Sequence, residues 1–80
     1  MGIKQAVVKR FESICKERNI KYNTLATLSG VTPSTVYSLM NESRLDAGIL
    51  VIKKLCDGLD ITITEFFDDD IFKNLEQEIK

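Results

Sequence analysis

The groups in this chain best suited to chemistry are neutral hydrogen-bonding ones crowded into one short stretch. Residues 25–41 read LATLSGVTPSTVYSLMN, with Thr32, Ser34, Thr35, Tyr37, Ser38 and Asn41 set among a few apolar anchors. Hydroxyls, a phenol and an amide donate and accept without carrying charge, so they suit the reading of a polar edge more than the making of bonds. Bond-making machinery is absent from the pattern: there is no histidine, no glycine-rich phosphate loop and no nucleophile with a base at a readable spacing. Asp68, Asp69 and Asp70 are consecutive, so they point in different directions and lack the order of a calcium loop. Cys15 and Cys56, without CxxC or histidine, make a poor zinc site and read as reduced core thiols. The expectation is therefore a binding protein with no enzyme activity, cofactor or metal.

These groups need helices to position them, and the apolar spacing is helical throughout. Ile3, Val7, Phe11, Ile14, Cys15 and Arg18 recur at steps of three and four and predict a helix over about 3–18, closed by Asn19. A second helix over about 22–29 turns Leu25, Ala26 and Leu28 inward and ends at Gly30, a residue free to take a positive φ. Thr32 is a good N-cap and Pro33 suits the first position of a third helix over about 33–41. Its apolar stripe, Val36, Leu39 and Met40, is narrow. A fourth helix over about 47–58 is expected, capped by Asp46, with Ile49, Ile52, Leu55, Cys56 and Leu59 inward and Gly58 near its end. Thr62 and Glu65 have the capping-box spacing, so a fifth helix starts at Ile63. Phe66 and Phe67 dock on the body. Ile71, Phe72, Leu75 and Ile79 keep helical spacing, which allows a helical extension over about 68–80.

At 80 residues the default is one domain, here 1–80, with little area to spare for its core. Hydrophobic residues make up 44% and charged residues 29%, as in globular chains. No apolar run approaches the roughly 18–20 residues of a membrane span. Lys4, Lys9 and Arg10 interrupt the start, so no signal peptide is read and a cytoplasmic protein is expected. The net charge of −1 argues against nucleic-acid binding by charge alone. The charge is uneven, however. Lys4, Lys9, Arg10, Lys16, Arg18 and Lys21 are six of the eleven cations, while residues 57–78 hold eight of the twelve acids. A partner feels that local field rather than the sum.

Two helices joined by a glycine turn form a helix-turn-helix unit, here 22–41. Ala26 supplies the small residue for a close crossing, and Val36 and Leu39 point back at the first helix. The stretch LATLSGVTPSTVYSLMN resembles the helix-turn-helix of phage repressors and Cro, the XRE family of bacterial regulators. KKLCDGLDITITEFF resembles that family's fourth helix, the turn after it and the start of the fifth. The resemblance implies an all-α, compact five-helix bundle and a sequence-specific DNA-binding transcriptional regulator, a repressor acting by occupancy. It implies that the third helix enters the major groove of double-stranded DNA. Carried across by position, Thr32, Pro33, Ser34, Tyr37, Ser38 and Asn41 match groove-facing sites, and Thr35, another polar outer position of the helix, is a further candidate DNA contact. Tyr22 and Asn23 match backbone-contacting sites, and Lys21, Arg44 and Arg18 are candidate phosphate contacts. A homodimer would read two half-sites about 34 Å apart, with no membrane and no small-molecule ligand. The rival reading is a protein-interaction module of the same fold, such as an antitoxin or a regulator's partner. The low basicity and the loop NESRLDAG, with Glu42 where relatives often have Gly and Arg44 as its one cation, motivate it.

One further departure is testable. Many relatives pair a buried Arg on helix 1 with Glu at the end of helix 3; those positions here are Cys15 and Met40. An apolar contact replaces a paired bridge and spares its desolvation. Cys15→Arg alone should therefore leave an unpaired buried charge and destabilise the fold by about 3–5 kcal/mol. Urea unfolding of the variant beside the native chain measures this.

Overall fold

The computed structural model describes residues 1–79. Lys80, the last residue of the expected extension, lies outside the described residues. Five helices follow in order: α1 Ile3–Arg18, α2 Tyr22–Ser29, α3 Pro33–Met40, α4 Ile49–Gly58 and α5 Ile63–Phe67. A 3₁₀ turn, Asp70–Phe72, follows. There is no strand among the described residues.

The helix ends form where the local chemistry demands. Asn19 and Gly30 adopt left-handed conformations, φ 56° and 68°, and close α1 and α2. Thr32 Oγ1 accepts from the Thr35 N–H at 3.3 Å. At α5 the capping box is complete: Glu65 N–H donates to Thr62 Oγ1 at 3.0 Å and Thr62 N–H to Glu65 Oε1 at 3.1 Å. The expected cap of α4 does not form. The helix begins at Ile49, after Gly48, and Asp46 Oδ1 accepts from the neighbouring Ala47 N–H instead. With 47 and 48 outside the helix, the Asp46 carboxylate sits too far upstream to serve its first turn.

Phe11 of α1 and Phe66 of α5 stack at the centre of the core with ring centroids 4.3 Å apart. Leu25, Val36, Leu55 and Leu59 close around them, and Cys15 and Met40 share the same buried cluster. Three expected inward residues face solvent. Ile3 yields its place to Lys4, which is the buried member of the first turn. Leu28 is exposed because Leu25, Ala26 and Ser29 define the inner arc of α2, and Leu28 lies roughly 100° from its centre. Ile49 is exposed because a side chain in a helix's first turn leans toward the preceding loop rather than along the bundle.

The side chains of α1 hold the other helices by their carboxyl ends. Lys4 Nζ donates to Asn41 O at 3.1 Å and Arg44 O at 2.8 Å, just beyond α3. Arg10 donates to Phe66 O at 2.8 Å and Glu65 O at 3.0 Å at the end of α5, and lies 3.4 Å from Asp69. Arg18 donates to Leu59 O, just past α4. Each cation donates to carbonyls at or just beyond a helix end, where backbone acceptors outnumber donors and the helix dipole is negative.

The expected helical extension is not a helix. Only the turn Asp70–Phe72 forms, started by Asp69 Oδ1 accepting from Ile71 N–H at 2.9 Å. Phe72 packs on the core beside Phe67, while Ile79 projects into solvent. The reason is competition for hydrogen bonds, since the segment returns along the start of α1. Glu76 N–H donates to Met1 O at 3.1 Å, and Glu78 Oε2 accepts from Ile3 N–H at 3.4 Å, capping a helix whose own N-cap, Gly2, has no side chain.

Gly58, expected to weaken the end of α4, serves a close crossing with α2. A Cβ there would overlap Ser29 Oγ and lie 3.0 Å from the Leu28 and Ser29 backbone. Ser29 Oγ is itself buried without a hydrogen-bond partner. Gly58→Ala should destabilise by about 1–3 kcal/mol through overpacking. Ser29→Ala on top of it should recover part of the loss by removing the overlapping atom. Thermal melts of the three variants measure both effects.

Candidate nucleic-acid interface

Apart from Arg18, the residues singled out by sequence lie at the start of α2, along α3 and in the loop after it. Lys21, the N-cap of α2, is exposed, as are Asn23, Thr32, Pro33, Ser34, Tyr37, Asn41 and Arg44. Thr35, Ser38 and Tyr22 are half-buried. The start of α2 is tied to the face of α3 by the Tyr22 and Tyr37 rings, edge-on with centroids 5.7 Å apart. Burial pushes the Tyr22 phenol up, so it stays neutral at physiological pH. Tyr37 rests on it and presents more than half of its surface to solvent.

The hydroxyls at the start of α3 are partly engaged with one another. Thr32 Oγ1 lies 3.0 Å from Ser34 Oγ and 2.9 Å from Thr35 Oγ1. Ser38 makes no such side-chain bond and faces a cleft of about 270 Å³ between α3 and α4, edged by Thr35, Arg44, Asp46 and Gly48. At the far end of α3, Asn41 Oδ1 accepts from Ser43 N–H at 3.1 Å and Ser43 Oγ at 2.8 Å. The Asn41 amide N–H₂ remains available as a donor. The face of α3 itself carries neutral hydrogen-bonding groups; Lys21 precedes α2, and Arg44, with the acids Glu42 and Asp46, lies in the loop after α3.

Two cations lie elsewhere than the sequence suggested. Arg18, a candidate phosphate contact, is turned onto Leu59 O and belongs to the fold. Lys4, named before only as a charge, is 5% exposed and grips the loop after α3. Its signal was in the sequence: Lys4, Val7, Val8, Phe11, Ile14 and Cys15 make a better helical stripe than one begun at Ile3. The sequence also gave no warning of the exposed apolar side chains Leu45, Ile49 and Leu50 beside this face.

Among the described residues no group of His, Cys, Asp and Glu is arranged to hold a metal ion. None of their helices is long and apolar enough to cross a membrane.

A short helix pair crossing at a glycine turn, with the second helix exposed and polar, defines a helix-turn-helix protein. Residues 2–70 match the family of Cro/C1-type HTH DNA-binding domains, and the chain belongs to that family. It is also similar to a solved structure, that of prophage Lp1 protein 11, at 26% identity and a TM-score of 0.80. That likeness covers 94% of this chain and 100% of the other. No curated protein matches the chain.

The cysteines take no part in this surface. Both are buried, and burial pushes the Cys15 thiol up and the Cys56 thiol up to about 11. Neither thiol should react with iodoacetamide at pH 8 in the folded chain, and both should react once it is unfolded; intact mass gives the count. The raised Cys56 pKa favours the fold fully below the unfolded value and loses that contribution as pH rises through about 11. Stability should accordingly fall between about pH 9 and 11, and fall less in Cys56→Ala.

Proposed function

We propose that the chain is a sequence-specific transcriptional regulator that acts by occupying DNA with α3 in the major groove. The observation that carries this reading is the exposed neutral face of α3. Ser34, Tyr37 and Ser38 lie at helical spacing on one side, in a chain of a DNA-binding family. Ser, Thr and Tyr are weaker helix formers than Glu, Lys or Ala, so an idle surface helix of this composition gives up helicity without return. On this reading Lys21 and Arg44 meet phosphates on either side of the groove; the first turn of α4, which has no side-chain cap and lies by the same cleft as Arg44, supports a phosphate there. Tyr22 and Asn23 lie over the backbone at the start of α2. Thr32, Pro33, Thr35 and Asn41 complete the reading surface. With so few cations, base contacts carry a large share of the affinity and charge a small one.

On this reading the active species is a homodimer on two half-sites about 34 Å apart, working in the cytoplasm on double-stranded DNA, without catalysis and without a small-molecule ligand. A second reading, a module that binds another protein, is favoured by one observation: Leu45, Ile49 and Leu50 expose apolar surface next to the same face.

A duplex selected from random sequences, compared with a scrambled one by fluorescence anisotropy across a salt series, separates the two. Ser38→Ala should weaken the selected site by about 1–3 kcal/mol and relax preference at one base position. Lys21→Ala should weaken both duplexes alike and lower the salt slope by about one. If no duplex is enriched and both variants behave as the native chain, the protein-binding reading takes over.

A further inference from the structure

Lys4 is 5% exposed and sits at the edge of a cleft it shares with Glu42 and Glu78, yet no carboxylate pairs with its ammonium. Its partners are two backbone carbonyls, Asn41 O at 3.1 Å and Arg44 O at 2.8 Å. Burial lowers its pKa, the nearby Arg44 guanidinium adds to that, and Asp46 and Glu42 oppose it. For stability alone a buried cation is a poor choice, because an apolar side chain of similar shape often does as well or better. A lysine kept here must do something that a methionine would not.

What it does is visible in the loop. Residues 41–44 are closed three times over: Arg44 N–H donates to Asn41 O at 3.1 Å, Asn41 Oδ1 holds Ser43, and Lys4 bridges the carbonyls at both ends. Arg44 and Asn41 are the exposed groups that this loop presents at the carboxyl end of α3. The ammonium is the donor to the Arg44 carbonyl, and the side chain of the same residue edges the α3–α4 cleft. We propose that Lys4 is a positioning residue for DNA recognition: from the first turn of α1 it fixes the 41–44 turn, so that Arg44 is already placed to meet a phosphate. The proposal rests on the DNA-binding reading above and adds to it a residue that touches no DNA.

The test is a double-mutant cycle in the full chain, with anisotropy measured on the selected duplex across a salt series, well below each variant's melting temperature. Lys4→Met removes all donors. Lys4→Gln, the second variant, keeps a polar group but is one bond too short to span both carbonyls. Arg44→Ala removes the phosphate contact itself. Lys4→Met, Lys4→Gln and Arg44→Ala should each lower the salt slope by about one and weaken binding about fivefold at 0.15 M salt, the share of a single phosphate contact. Lys4→Met combined with Arg44→Ala should bind no worse than Arg44→Ala alone. A folded Lys4 variant with an unchanged slope overturns the proposal, as do losses that simply add to that of Arg44→Ala. A Lys4→Gln chain that does not fold also overturns it, since the clamp would then serve the fold and not the loop. If Arg44→Ala leaves the slope unchanged while Ser38→Ala and Lys21→Ala behave as stated above, this proposal fails and the DNA-binding reading stands. If no duplex is bound, that reading fails first.

Discussion

The carboxyl ends of three helices converge on one helix, and the rest of the molecule follows from that. A helix ends with carbonyls that have no N–H partners, and in a small domain several such ends must lie close to the core. α1, α2 and α4 solve much of this within their own chain through left-handed residues at Asn19, Gly30 and Asp60. The ends of α3 and α5 are served from α1, by Lys4 and Arg10, and Arg18 adds a donor at the end of α4. Long side chains on one rigid rod thereby set the positions of three others. Arg10 does the most, with two carbonyls, Asp69 and the face of Phe66 all within its reach.

This use of charge changes what the composition means. Half of the six cations in the first 22 residues are engaged with backbone carbonyls, so those side chains are committed to the fold rather than free to reach a partner. The face of α3 is neutral, and the charges beside it are the cations Lys21 and Arg44 and the acids Glu42 and Asp46. A surface of that kind discriminates by hydrogen-bond geometry and shape, with a small electrostatic component. The acidic C-terminal segment is occupied too: Glu76 and Glu78 meet the N-terminus and first turn of α1, where negative charge suits the helix dipole.

The hydroxyl-rich face is held to the body from both sides. Tyr22 supports the Tyr37 ring from α2, and α2 is itself pressed against α4 where Gly58 admits the Ser29 backbone. At the other end, Lys4 closes the loop that follows α3. The exposed polar groups therefore stand on a frame that core packing determines, which suits a surface whose partner must be met in one orientation.

By itself the sequence determined the elements and their ends. The capping box at Thr62 and Glu65, the Thr32–Pro33 start and the Asn19 and Gly30 stops all depend on atoms within a few residues of each other, so local spacing suffices to read them. The same holds for the narrow stripe of α3 and for its polar face, from which the helix-turn-helix and its family were legible. Only the tertiary structure decided which cations face inward, because a lysine's partner carbonyls at 41 and 44 are distant in sequence and carry no side-chain signature. It also decided that Leu28 and Ile49 stay in solvent, since an arc of apolar residues is buried only where another helix crosses it. And it decided the fate of the C-terminal stripe. Ile71, Phe72, Leu75 and Ile79 have helical spacing, but the backbone of 76 and the carboxylate of 78 find partners on Met1 and Ile3. A short helix competes poorly with hydrogen bonds offered by a neighbour already in place.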